Sequence, residues 1–215
     1  MDILKRSLAP IVPAAWEEID EQAALALKAA LAGRKAVDVK GPLGWNVDAV
    51  SEGMLSLVEE SPVEDVSYGI RESLPMVEIR VPFTMSMWEL DDISRGSKTI
   101  DFTPVIEAAR KAALFEDTAI FQGLEDAGIL GLELEADNEP VEIKLEDESI
   151  VSSIVNAITT LAGRSMEGPY ALVCSLPLWT KIKTSGKAYP LLKRVKDALG
   201  DDGRIILSPQ YDTCM

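Results

Sequence analysis

The run PMVEIRVPFTMSMWEL, residues 75–90, constrains the fold more than any other stretch of the chain. Val77, Ile79, Val81, Phe83, Met85 and Met87 fall on one face; Glu78, Arg80, Pro82, Thr84, Ser86 and Trp88 fall on the other. A period of two is that of an extended strand. The run is long beside the usual ~5–6 residues, and Pro82 cannot donate to a central ladder, so an edge strand or arm is expected. With GMLSLVEE, residues 53–60, it forms a hairpin joined through the turn residues of SPVEDVSYGI. A two-stranded ribbon alone is marginal in water, so its apolar face must lie against something else, and a neighbouring subunit is expected. Trp88 suits an interface anchor, with stacking on a planar ligand as the second reading.

Residues 4–31 raise a different question. Lys5-Arg6 followed by apolar residues is how a secretory signal begins, but Pro10 and Pro13 break the apolar patch and Glu17-Glu18 follow at once. An export signal needs an uninterrupted apolar region, so export is excluded. From Pro13 to Leu31 the period is helical. Trp16, Ile19, Ala23, Leu27 and Ala30 make a stripe, and Gly33 provides a stop. GRKAVDVKGPLGW reads as a turn-containing connection. A second helix is expected from Thr103 as N-cap and Pro104 at the first position to Gly123, its alanine-rich surface suiting a spine. Further on come an acidic, turn-rich stretch, a helix over 149–161, a buried strand over 170–175, two more helices and a buried strand in GRIILSP. The second half is therefore a mixed α/β unit.

Charge and composition narrow the chemistry. With 36 acidic against 21 basic residues the net charge is −15, the wrong sign for nucleic acid or an anionic membrane surface. No segment approaches the ~20 apolar residues of a membrane span. Histidine is absent, which removes the usual general base, the usual zinc ligand and every Ser-His or Cys-His arrangement. Cys174 and Cys214 are the only cysteines; Cys174 lies in an apolar run and is expected as a buried thiol, and the sparse usage suits a reducing cytoplasm. The pairs Glu116-Asp117 and Glu125-Asp126 and the triplet Glu146-Asp147-Glu148 lack the spacing of a metal site, because neighbours on a helix diverge by about 100°. They are expected as solvated faces. No catalytic set, metal site or cofactor site emerges.

The quoted order, with LKRSLAP, WEEID, GRKAVDVKGPLGW, RESLPMVEIRVPFT, WELDDISRG, FEDTAIFQG and EGPYALV from residue 4 onward, resembles the encapsulin shell proteins. The resemblance implies an α+β fold of the tailed-phage major-capsid type. Residues 1–44 would be the N-terminal arm and interior-facing helix, 45–98 the extended loop that reaches across neighbouring subunits, 99–133 the peripheral-domain spine and 134–215 the axial domain. It implies a structural, non-enzymatic subunit that self-assembles into a cytoplasmic icosahedral nanocompartment, the smallest shell size being favoured. Cargo enzymes, dye-decolourising peroxidases or ferritin-like proteins, would be held by a C-terminal targeting peptide. By position, Leu27, Leu31, Arg34 and Asp38 would contact that peptide, and Lys183, Thr184, Ser185, Gly186, Lys187, Ala188 and Tyr189 would form the pore loop. Val77, Ile79, Val81, Phe83, Met85 and Trp88 would belong to the intersubunit ribbon. The family's C-terminal strands, which complete the peripheral sheet and the other wall of the peptide groove, have no counterpart before Met215, so the chain is expected to be incomplete there. A phage capsid protein is the alternative reading, and a bacteriocin or protease ranks last.

Overall fold

Proline at the first helical position sets the first long element. A computed structural model describes residues 4–186 and 189–209, and in it α1 (Pro13–Ala30) begins where Pro13 has no N–H to leave unsatisfied. Ile19 and Ala30 of the expected stripe are buried, as is Ala15 outside it, and the stripe's Trp16, Ala23 and Leu27 are half-buried. A one-turn α2 (Gly33–Ala36) follows within the stretch expected to be irregular. α3 (Met87–Ser94) and α4 (Thr103–Phe121) complete this part. Leu90 and Val105 pack with Ala15 and Ile19, and Met85, Ile93 and Phe102 seal the cluster. Farther along, Ala30 and Leu31 pack on Ala113, where the small side chain allows α1 and α4 to approach closely. The cap of α4 differs from the expected Thr103: Asp101 Oδ1 accepts the Thr103 N–H at 2.9 Å. An Asp side chain readily bonds the backbone two residues on.

The same unit, residues 1–37, 81–117 and 137–215, holds the α/β elements. They are α5 (Asp147–Gly163), β5 (Ala171–Cys174), α6 (Leu176–Thr184), α7 (Leu191–Leu199) and β6 (Arg204–Leu207). β5 and β6 pair in parallel from Ala171↔Arg204 to Cys174↔Leu207. A parallel pair needs a crossover, and α6 and α7 supply it. Leu191, Val195 and Leu199, four residues apart on α7, meet Ile150 and Ile154 of α5, Leu178 and Ile182 of α6, and Leu172 and Cys174 of β5 in one buried cluster. Cys174 is the buried thiol that its apolar surroundings suggested. The triplet at the start of α5 is not simply solvated: Asp147 pairs with Lys181 at 3.0 Å, and Glu148 accepts both Arg194 nitrogens at 3.0 and 2.7 Å.

The second unit, residues 38–80 and 118–136, contains an antiparallel ribbon, β1 (Ala49–Val58) with β2 (Tyr68–Pro75), and a two-residue pair, β3 (Gly123–Leu124) with β4 (Ile129–Leu130). After β4 the chain folds back on the preceding helix end, Leu132 N–H donating to Ile120 O at 3.0 Å. A Cβ at Gly131 would lie 2.2 Å from the backbone at Gln122 and Gly123, so only glycine fits there.

The long alternating run is corrected. β2 ends at Pro75, residues 76–86 carry no strand pairing, and Met87 starts α3. Ser86 and Glu89 have the spacing of a helix start, and Pro82 lacks a ladder donor. Val77, Ile79, Val81, Phe83 and Met85 therefore lie on chain outside any strand, and Trp88 is helical. Pairing falls instead on YGIRESLP, partly within the segment expected to be the turn.

Lys5-Arg6 belongs to the fold. Arg6, in a one-turn 3₁₀ helix, donates two 2.7 Å bonds to Asp20 on α1, and its guanidinium carbon sits 4.8 Å from the centre of the Trp16 ring. The hydrogen bonds from Arg6 hold the Asp20 carboxyl below its ordinary value of 3.8. The ionised form is thus favoured in the folded chain: this contribution is complete above pH 3.8 and is lost as pH falls through the lowered folded value. The Trp16 contribution to fluorescence, taken as wild type minus W16F, is expected to change over that acid range and to stay flat in D20N.

Candidate functional site

The ribbon carries several exposed apolar side chains. Its register runs from Ala49↔Pro75 to Val58↔Tyr68, with an irregularity between Ser51 and Leu55 where β1 carries extra residues. Gly53 there adopts φ +78°, and its N–H donates to Ser51 Oγ at 3.2 Å. Strand alternation places Leu55 and Leu57 on one face with Gly69 and Arg71, and Tyr68 and Ile70 on the other with Val58 and Ser56. Exposed apolar side chains occur on both: Leu57 is 76% and Ile70 62% exposed. Ser56 Oγ donates to Glu72 across the strands. Both faces are thus open. Trp88 is 78% exposed on α3.

A second feature joins the end of α1 to α4 through two adjacent carboxylates. Asp117, only 3% exposed, accepts the Gly33 N–H at 2.8 Å and the Ala32 N–H at 3.0 and 3.2 Å. Glu116 accepts Arg34 Nε at 2.5 Å and Nη2 at 2.7 Å. Burial pushes the Asp117 carboxyl up from its ordinary value, while the Gly33 and Ala32 N–H groups pull it down. The pair therefore departs from the expected solvated face. Consecutive helical residues diverge, but here the partner is a turn that crosses α4, so each acid meets a different part of it. The sequence carries no signal for bonds spanning 82–85 positions. A glycine at a helix exit with two acids elsewhere is too common to notice.

The residues expected to receive a peptide have unequal surfaces. Leu31 is buried at 7% exposure against Ala30 and Ala113; Leu27 is half-buried beside them. Arg34 is exposed although paired with Glu116, and Asp38 is exposed.

Lys183 and Thr184 of the expected pore loop are the last residues of α6, so the loop itself starts at Ser185. The Thr184 hydroxyl donates to Thr180 O at 2.8 Å within the last turn, and Gly186, at φ +101°, provides the break after it. Lys183 Nζ lies 4.6 Å from the Trp179 ring centre; Tyr189 Oη donates to Asp197 at 2.9 Å, with Lys193 Nζ 5.2 Å from its ring. Lys187 and Ala188 lie outside the described residues. Among the described residues no group of three or more His, Cys, Asp or Glu is arranged to hold a metal ion, and no helix is long and apolar enough to cross a membrane.

Removing the Asp117 acceptor leaves two backbone donors without it. D117A is expected to lower stability by about 1–3 kcal/mol, measured by denaturant unfolding. E116A, at a pair half open to water, is expected to cost less than about 1 kcal/mol.

Residues 1–213 match the family model described as encapsulating protein for peroxidase. The type 1 encapsulin shell protein of Mycolicibacterium paratuberculosis is 39% identical over 213 residues, covering 99% of this chain and 79% of that protein. The type 1 encapsulin shell protein of Rhodospirillum rubrum is 36% identical, covering 100% and 79%. A diheme-cytochrome–encapsulin shell fusion protein of Kuenenia stuttgartiensis is 27% identical, covering 86% and 51%. In three dimensions the chain is similar to a subunit of the virus-like particle from Pyrococcus furiosus, with a TM-score of 0.55 at 16% identity over 91% of this chain and 75% of that one. The fold is therefore capsid-like, mixed in helix and sheet, and by sequence the chain belongs to the family of encapsulin shell proteins.

Proposed function

We propose that this chain is the structural subunit of an icosahedral protein compartment that encloses a cargo enzyme and holds it by a C-terminal targeting peptide. The observation that carries the reading is the ribbon, a two-stranded element with uncovered apolar side chains on both faces. Burying a Leu or Ile side chain contributes about 1.5–3 kcal/mol, and neighbouring copies are the natural source of cover in a shell. Residues 1–44 act as the interior-facing arm and helix, 45–98 as the loop across neighbours, 99–133 as the spine and 134–215 as the axial domain around the pore. The paired parts of the loop are Ala49–Val58 and Tyr68–Pro75, with 76–86 leading to α3.

Leu27, Arg34 and Asp38 form the near side of the peptide groove, with Leu31 supporting it from beneath. The loop from Ser185 to Tyr189, flanked by lysines, makes the pore less acidic than the surface as a whole. Cargo of the peroxidase or ferritin-like class places the compartment in oxidative-stress defence or iron storage, in the cytoplasm. The relatives are named as shell proteins, and the chain's part is containment and not turnover.

Electron microscopy of the purified protein, with mass spectrometry of whatever co-purifies, tests this directly: closed particles carrying an oxidative or iron-handling enzyme are expected. Monomers only would sink the reading, and particles filled with nucleic acid would turn it toward a phage capsid. L55S/L57S and Y68S/I70S each open one ribbon face without touching a buried residue. Both pairs are expected to abolish particles in size-exclusion chromatography while leaving the circular dichroism of the subunit unchanged. Because each subunit carries −15, assembly is expected to weaken at about 10 mM salt, where screening reaches only beyond ~30 Å, relative to about 150 mM, where it acts from ~8 Å. Equal particle yield by light scattering at both would count against acidic repulsion as the opposing force.

A further inference from the structure

We propose that Asp117 is the positioning residue of the peptide-receiving face, fixing the backbone at Ala32–Gly33 from which Arg34 is presented beside the end of α1. This rests on the reading of residues 27–34 as part of that face.

The segment between Leu31 and Ala36 has little reason of its own to hold one shape. α1 ends at Ala30, Leu31 is extended, and α2 is a single turn of four residues. One turn of helix does not stand alone, because nucleation fixes several dihedrals for one hydrogen bond, and its leading N–H groups have no partner within it. Its anchors come from elsewhere in the chain. Asp117 takes the Ala32 and Gly33 N–H groups. Arg204 Nη1 donates to Lys35 O at 3.3 Å, and Glu116 holds the Arg34 side chain.

These anchors differ in kind. Glu116 touches a side chain of the face itself, so its loss changes the face's chemistry. Asp117 bonds backbone only, and it is buried where a carboxylate costs free energy to place. Its loss removes no atom from the face but releases the backbone that carries it. A recognition surface gains affinity when its supporting groups hold it in the bound geometry beforehand. Asp117 is therefore the residue through which α4 sets the shape of the receiving turn.

The test co-expresses the full chain with a fluorescent protein bearing the C-terminal tail of a dye-decolourising peroxidase. Fluorescence per particle, particle yield and hydrogen exchange at Ala32 and Gly33 are read together. D117N is expected to assemble in wild-type yield, capture about tenfold less probe and exchange faster at both amides. D117E keeps the charge but displaces the oxygens and is not expected to restore capture, whereas E116Q keeps both amides protected. Unchanged capture or unchanged exchange in D117N overturns the proposal. So does rescue by D117E, or a fall in capture that merely follows a fall in particle yield. If neither Asp117 variant assembles while E116Q does, the role is structural and the proposal also fails. Absence of capture in wild type sinks the peptide-receiving reading itself, a result separable from failure at Asp117 alone.

Discussion

A buried carboxylate on α4 organises the exit of α1. Asp117 gives up water to accept the backbone of Ala32 and Gly33, and Glu116 beside it grips Arg34. The exit of α1 is thereby tied to α4 at a point where Ala30, Leu31 and Ala113 allow the two helices to meet. Hydrophobic contact alone would leave the turn free to slide, because apolar packing is not directional. The carboxylate adds direction.

The same division recurs elsewhere. In the α/β part, one apolar cluster built on Ile150, Ile182, Leu191 and Val195 supplies cohesion. The ion pairs Asp147–Lys181 and Glu148–Arg194 join α5 to α6 and α7 at the rim. At the amino end, Arg6 lies on Trp16 and bonds Asp20. A chain of net charge −15 thus uses several of its few cations to fasten segments that its acids would otherwise push apart. The ribbon instead keeps apolar side chains such as Leu57 and Ile70 exposed on both faces.

Helices were the legible part of the fold. α1 follows its periodic stripe, since a helix that buries one face must repeat near 3.6 residues. The buried strands β5 and β6 were equally plain as short apolar runs. The alternating stretch 75–90 misled because a period of two marks extended backbone, and extended backbone need not have a ladder partner. Residues 76–86 keep the alternation without the pairing, while YGIRESLP pairs despite its glycine and charges. At the site, the amphipathic end of α1 and the presence of Arg34 could be read directly. The function of Glu116-Asp117 could not, since adjacency on a helix argues against joint action unless a crossing turn supplies two targets.

By itself, the sequence determined that α1, α4, α5 and α7 are helical, that Cys174 is buried, and that conventional histidine chemistry is closed to a chain with no histidine. Those properties follow from local periodicity and composition, which need no knowledge of neighbours. Only the tertiary structure decided where the ribbon pairs, where α6 ends, and that Asp117 is buried at a turn 84–85 residues away. Such contacts are set by which surfaces meet when the whole chain packs, and no local pattern encodes that meeting.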